Sequence, residues 1–218
     1  MSMPRGMRIA GYTAVAVLLL VLGAALRPLF IDDDRSADPI LGEAEIGFVQ
    51  DMTAHHQQAL IMVQRLDPAV DPAITRLAQQ MADTQRIEIG TMLGWLRLAN
   101  ASPLSPQPMA WMHAAAEPEH RHSGAAEAHT PAGHSMPGMA TMAELDALSA
   151  ARGRAAEVLF LQLMLRHHQG GVAMAQAADQ LIESGPVKET ARSMIHSQSQ
   201  ESGVMAALLG QRDARPLP

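Results

Sequence analysis

The apolar positions of this chain fall into helical stripes that polar residues interrupt at matching places. Phe48, Met52, Ala59, Met62 and Leu66 recur at about 100° per residue, which predicts a helix over 43–66. His55 lies in the middle of that stripe and His56 on its shoulder. Ile74, Leu77, Met81, Met92, Trp95 and Leu96 predict a second helix over 72–99, opened by the Asp71-Pro72 start signal. Gln85 and Glu88 sit inside its apolar face, where polar groups are costly unless partnered. Thr141-Met142-Ala143-Glu144 is a capping box that starts a short helix to about 151, with Gly153 separating it from the next. Phe160, Met164, His167, Gly171 and Met174 predict a helix over 154–183, and Met194, Gln198, Glu201 and Met205 one over 186–209.

The second pair of helices repeats the first. Phe48, Gln50, Met52, His55, His56 and Gln57 return 112 residues later as Phe160, Gln162, Met164, His167, His168 and Gln169. Met62 and Gln64 return as Met174 and Gln176. Ala78, Met81, Gln85, Glu88 and Met92 align with Ala191, Met194, Gln198, Glu201 and Met205. A fixed-offset repeat of this kind marks a duplicated structural unit. Each unit is an antiparallel hairpin, and two hairpins close most simply into an all-α four-helix bundle with a pseudo-twofold axis. A dimer with swapped hairpins is an alternative arrangement.

The organisation is therefore an N-terminal segment over 1–30, a first hairpin over 43–99, a linker over 100–140, and a short helix plus second hairpin over 141–210. The N-terminal segment has Arg5 and Arg8 ahead of an 18-residue uncharged run from Ile9 to Leu26. That pattern predicts an export signal, cleaved or kept as a membrane anchor, with the remainder outside the cytoplasm. The linker lacks periodicity and is rich in Pro, Ala and Gly. It carries Met109, Met112, His113, His120, His122, His129, His134, Met136 and Met139. It is a loop or disordered stretch that either captures soft metal or serves as a solvated spacer.

Composition narrows the chemistry. There is no cysteine, so disulfides and thiolate sites are excluded, whereas there are 16 methionines and 10 histidines. Without Arg5 and Arg8 the chain keeps 14 basic against 22 acidic residues, which argues against nucleic acid as a partner. Inward residues on facing helices build metal sites in bundles. Thioether with imidazole and no thiolate suits copper, Cu(I) for methionine and either state for imidazole. The candidate ligands are Met52, His55, His56, Met62, Met81 and Glu88, with Met164, His167, His168, Met174, Met194 and Glu201 from the second unit. Met52 stands at i−3 from His55 and i−4 from His56, on adjoining positions of one helix face.

The structural alternative is equally specific. Methionines at helical spacing fill cores, and His55 and His167 can be hydrogen-bonded partners of Glu88 and Glu201 with no metal involved. The chain is then an envelope interaction module. The carboxylates can also orient ligating imidazoles. A di-iron oxidase needs Glu-x-x-His on two helices, and Met52 and Met164 stand where those glutamates belong. No nucleophile–base pair or phosphate loop is present, so the residues point away from an enzyme.

The residues Met52, His55, His56, Ala59 and Met62, followed by Gln85, Glu88, Met92, Trp95 and Leu96, resemble the domain-of-unknown-function family 305. The second unit matches at Met164, His167, His168, Met174, Gln198, Glu201 and Met205. It departs with Gly171 in place of Ala59 and Leu208-Leu209 in place of Trp95-Leu96. The match spans about 43–210. The resemblance implies a ferritin-like four-helix fold, export, and for some members copper binding in the periplasm and copper tolerance.

Overall fold

The computed structural model describes the backbone of residues 5–30, 39–112 and 136–217, and within the first of these the side chains of 12–26. All regular structure among the described residues is helical. The chain forms two units, Met1–Pro39 and Ile40–Pro218. The first contains α1 (Arg5–Phe30), whose residues 12–26 are exposed. No helix among the described residues is long and apolar enough to cross a membrane.

The second unit contains α2 (Glu43–Arg65), α3 (Pro72–Leu98), α4 (Met142–Ala150), α5 (Gly153–Leu181) and α6 (Pro186–Gly210). Local signals set the ends. The Glu45 carboxylate accepts the Gly42 N–H at 2.7 Å ahead of α2. The Asp71 carboxylate accepts the Ala73 N–H at 2.7 Å, and Pro72 takes the first position of α3. Thr141 and Glu144 exchange bonds at the start of α4. Asp67 fixes the α2–α3 turn by accepting from Ala69 N at 3.1 Å, and ties it to the start of α5 through Gly153 N at 2.8 Å.

α2 packs on α3, α5 on α6, and the hairpins meet through α2 on α5. Two apolar clusters fill the space between them. One holds Ala59, Met62, Met81, Phe160, Met164 and Met205, and the other Phe48, Met52, Met92, Met174, Ala178 and Met194. The C-terminal half of α2 thus meets the N-terminal half of α5, and the reverse at the other end, so the two helices run antiparallel. The repeat-equivalent residues Met52 and Met164 lie in opposite clusters, as do Met62 and Met174, Met81 and Met194, and Met92 and Met205. The duplication appears as a pseudo-twofold that exchanges the clusters. The histidine doublets stand at the changeover.

The linker departs from the expected loop at both ends. The Asp51 carboxylate on α2 accepts from Met109 N at 2.6 Å and from Trp111 Nε1 at 2.9 Å. Trp111, in a 3-10 turn over Ala110–Met112, is buried edge-on to Phe48 with ring centroids 5.5 Å apart. At the far end, Gln58 holds Ala140 from both sides: Ala140 N donates to Gln58 Oε1 at 2.6 Å and Gln58 Nε2 to Ala140 O at 2.9 Å. Pro137 and Gly138 lie directly on α5, where a Cβ at Gly170 would fall 2.0 Å from the Pro137 oxygen. Gly138 itself has φ +77°, a conformation that favours glycine. The tract between, with His113, His120, His122, His129 and His134, lies outside the described residues.

Candidate metal centre

α2 and α5 cross where His55 meets His167. The two rings stack with centroids 3.7 Å apart and planes 28° apart. His167 Nε2 lies 2.9 Å from the His55 backbone oxygen, and His55 Nε2 lies 3.1 Å from the Pro137 oxygen. A carbonyl only accepts, so each Nε2 carries the proton and each Nδ1 presents its lone pair. Neither Nδ1 has a partner, although both are buried.

The second histidine of each doublet turns to its own hairpin. His56 Nε2 lies 2.7 Å from Glu88 Oε2 on α3, and His168 Nε2 lies 2.9 Å from Glu201 Oε2 on α6. This corrects the expectation that His55 and His167 are the partners of those glutamates. A step of 100° moves a side chain from the stripe centre, which faces the opposite hairpin, to the flank, which faces the neighbouring helix. The Nδ1 atoms of His56 and His168 are also buried and unpartnered. All four histidines are at most 1% exposed.

Burial, reinforced by the neighbouring histidine His56, lowers the pKa of His55 to about 3. Burial and the adjacent His55 and His168 hold His167 well below the ordinary imidazole value. Both rings are therefore neutral, the state in which imidazole binds a metal. Metal-ligating histidines generally donate their other N–H to a carbonyl or carboxylate. All four rings here do so, two to carbonyls and two to carboxylates.

The expected ligands do not form one compact set. Met52, Met174 and Met194 lie in one apolar cluster, while Met62, Met81 and Met164 lie in the other. Met205 joins the second of these groups and Met92 and Met109 the first, and none of the three was singled out as a core ligand from the sequence. Among the described residues no group of three or more His, Cys, Asp or Glu side chains is arranged to hold a metal ion.

Sequence reasoning also missed the residues that seat the linker. Gly47, Asp51 and Gln58 break the repeat, standing opposite Leu159, Leu163 and Gly170. That departure was the available signal. Gln50 and Gln162, in contrast, keep the repeat in structure: each donates at 2.7 Å to a carbonyl beyond the second helix of its hairpin, Ser102 and Arg215 respectively.

The family model for the domain of unknown function DUF305 matches residues 45–209. The chain belongs to the DUF305 family. Three solved proteins are similar to this DUF305 chain. A Streptomyces coelicolor DUF305 protein, described provisionally as secreted, is 38% identical with a TM-score of 0.68, covering 80% of this chain and 96% of its own. A DUF305 fragment from Deinococcus radiodurans is 28% identical with a TM-score of 0.60, covering 78% and 97%. CopM matches in its Cu(II)-bound form at 27% identity, TM-score 0.54, covering 77% and 96%. Its Cu(I)-bound form matches at 24% identity, TM-score 0.55, with the same coverage. No functionally curated protein matches this DUF305 chain.

Proposed function

We propose that this DUF305 protein binds copper outside the cytoplasm, for buffering, tolerance or relay. One observation carries the reading: four buried imidazoles, each with Nε2 tied and Nδ1 unpartnered, in a cysteine-free core rich in thioethers. His55, His56, His167 and His168 supply nitrogen. Met52, Met62, Met81, Met164, Met174 and Met194 supply sulfur. Glu88 and Glu201 orient His56 and His168. The likeness to CopM, solved with Cu(I) and with Cu(II), supports the choice of metal. The apolar N-terminal run behind Arg5 and Arg8, and the similarity to a relative described as secreted, support export, with α1 either cleaved or retained as an anchor. A ferritin-like four-helix bundle belongs to the same reading, supported by two apolar clusters to which α2, α3, α5 and α6 all contribute.

The test is copper content and Cu(I) competition on the full chain, beside a His55→Ala/His167→Ala double variant and a chain with 113–135 replaced by a Gly/Ser linker. Loss of tight binding in the double variant alone supports the core site. Loss with the linker alone moves the site to the His-rich tract.

The His56–Glu88 and His168–Glu201 pairs favour a second reading, an envelope interaction module whose buried pairs fix helix register. It predicts full stability and no copper uptake in the wild type.

A further inference from the structure

One of the differences between the two repeated units falls on α5. Gly171 stands where the first unit has Ala59. A Cβ built on Gly171 would fall 2.4 Å from Gln198 Oε1, 3.3 Å from Gln198 Cδ and 3.3 Å from His55 Cε1. The missing methyl lets the Gln198 amide settle against the α5 backbone at the edge of the His55 ring. Cε1 is the ring carbon bonded to both nitrogens, and of the two it is Nδ1 that has no partner.

Gln198 is 3% exposed, and neither its Oε1 nor its Nε2 has a hydrogen-bond partner. Buried amides are almost always bonded, and one left bare on both atoms marks a place where something else binds. The absence of a Cβ at Gly171 leaves the space that the Gln198 Oε1 occupies. In the first unit, Ala59 fills the matching position with its own methyl.

We propose that Gln198 is a copper ligand through its side-chain oxygen, completing a site with Nδ1 of His55, and that the Gly171 notch makes the second half of the core the Cu(II) site. This rests on the copper-binding reading above. Mixed nitrogen and oxygen donors suit Cu(II), whereas Cu(I) prefers the thioethers. The site therefore favours the oxidised ion and is not duplicated by the pseudo-twofold.

The test uses the full chain with Cu(II) and Cu(I) competition titrations and electron paramagnetic resonance of the Cu(II)-loaded protein. Gln198→Leu weakens Cu(II) binding by about tenfold or more, the scale on which tuning residues act, and shifts the Cu(II) hyperfine pattern while Cu(I) binding holds. Gly171→Ala reproduces the loss by pushing the amide away. Gln198→Glu keeps an oxygen donor and retains tight Cu(II) binding. Gln85→Leu, the repeat equivalent, leaves Cu(II) binding as in the wild type. Should Gln198→Leu unfold, Gly171→Ala and Gln198→Glu decide. Equal effects at Gln85 and Gln198, or an unchanged spectrum in Gln198→Leu, overturn the assignment while leaving copper binding intact. A wild type that takes up no copper overturns both readings.

Discussion

His167 donates its Nε2 proton to the backbone oxygen of His55, but His55 does not return the bond. The pseudo-twofold would send His55 Nε2 to the His167 oxygen. It goes instead to the oxygen of Pro137, at the end of the linker. The linker has replaced one half of a symmetric exchange, and the partner of a buried imidazole is therefore a segment outside the hairpins. Gly138 and Gly170 make the approach possible.

Gly138→Ala tests how firmly that segment is held. Gly138 has φ +77°, and its Cβ would lie 2.4 Å from the Arg166 carbonyl oxygen, a backbone atom that cannot swing aside. The substitution should cost about 1–3 kcal/mol through left-handed strain, with the close contact adding to it. A lower thermal midpoint and faster hydrogen exchange at the Ala140 amide, which Gln58 now protects, are the expected readouts. Unchanged exchange would show that the segment does not depend on this turn.

The buried His–Glu pairs make a second prediction. Glu88→Ala leaves the buried His56 N–H without its acceptor. Denaturant unfolding should report a loss of about 1–3 kcal/mol. Glu201→Ala should behave alike through His168. His56→Ala combined with Glu88→Ala should cost less than the two single losses together, because no orphan remains. Strict additivity would mean the pair is not coupled.

Stability should depend on pH through His55 and His167. Both have folded pKa values below the unfolded imidazole value, His55 at about 3. Below about pH 6.5 the unfolded chain takes up protons that the folded rings refuse. Their contribution is complete above that pH and is lost as pH falls. The slope is about 1.4 kcal/mol per pH unit for each ring. Urea midpoints in chelated buffer should be level near pH 7.5 and fall steadily towards pH 5. His55→Gln and His167→Gln should each remove about half of that dependence. A flat profile in the wild type would contradict neutral burial of the rings.

Much of this architecture was legible because helices announce themselves by period and by end signals. Asp71-Pro72 and Thr141 to Glu144 mark helix starts that the structure uses. The repeat also located the histidines on inward stripes. Which histidine meets which carboxylate was not legible, since it turns on one helical step and on which neighbour lies on that flank. Docking of the linker was not legible either. Met109, Trp111 and Ala140 are buried by contacts with Asp51, Phe48 and Gln58 rather than by a periodic pattern of their own. Such contacts leave a trace only as departures from the repeat.

The last prediction separates the two methionine groups. Met52, Met92, Met174 and Met194 lie in one cluster, and Met62, Met81, Met164 and Met205 in the other, all at most 1% exposed. Methionine to leucine nearly conserves volume, so each swap should cost less than about 1.5 kcal/mol. It removes the sulfur and keeps the packing. Because the pseudo-twofold exchanges the clusters, leucine at Met52 and Met174 and leucine at Met62 and Met164 are matched experiments on opposite ends of one core. If sulfur is the Cu(I) donor, each pair should lower Cu(I) uptake while leaving Cu(II) binding at the histidines in place. Equal loss of both ions would place imidazole and thioether on a single ion. Retention of Cu(I) in both variants would return the methionines to the role of core filler, with the imidazoles alone as donors.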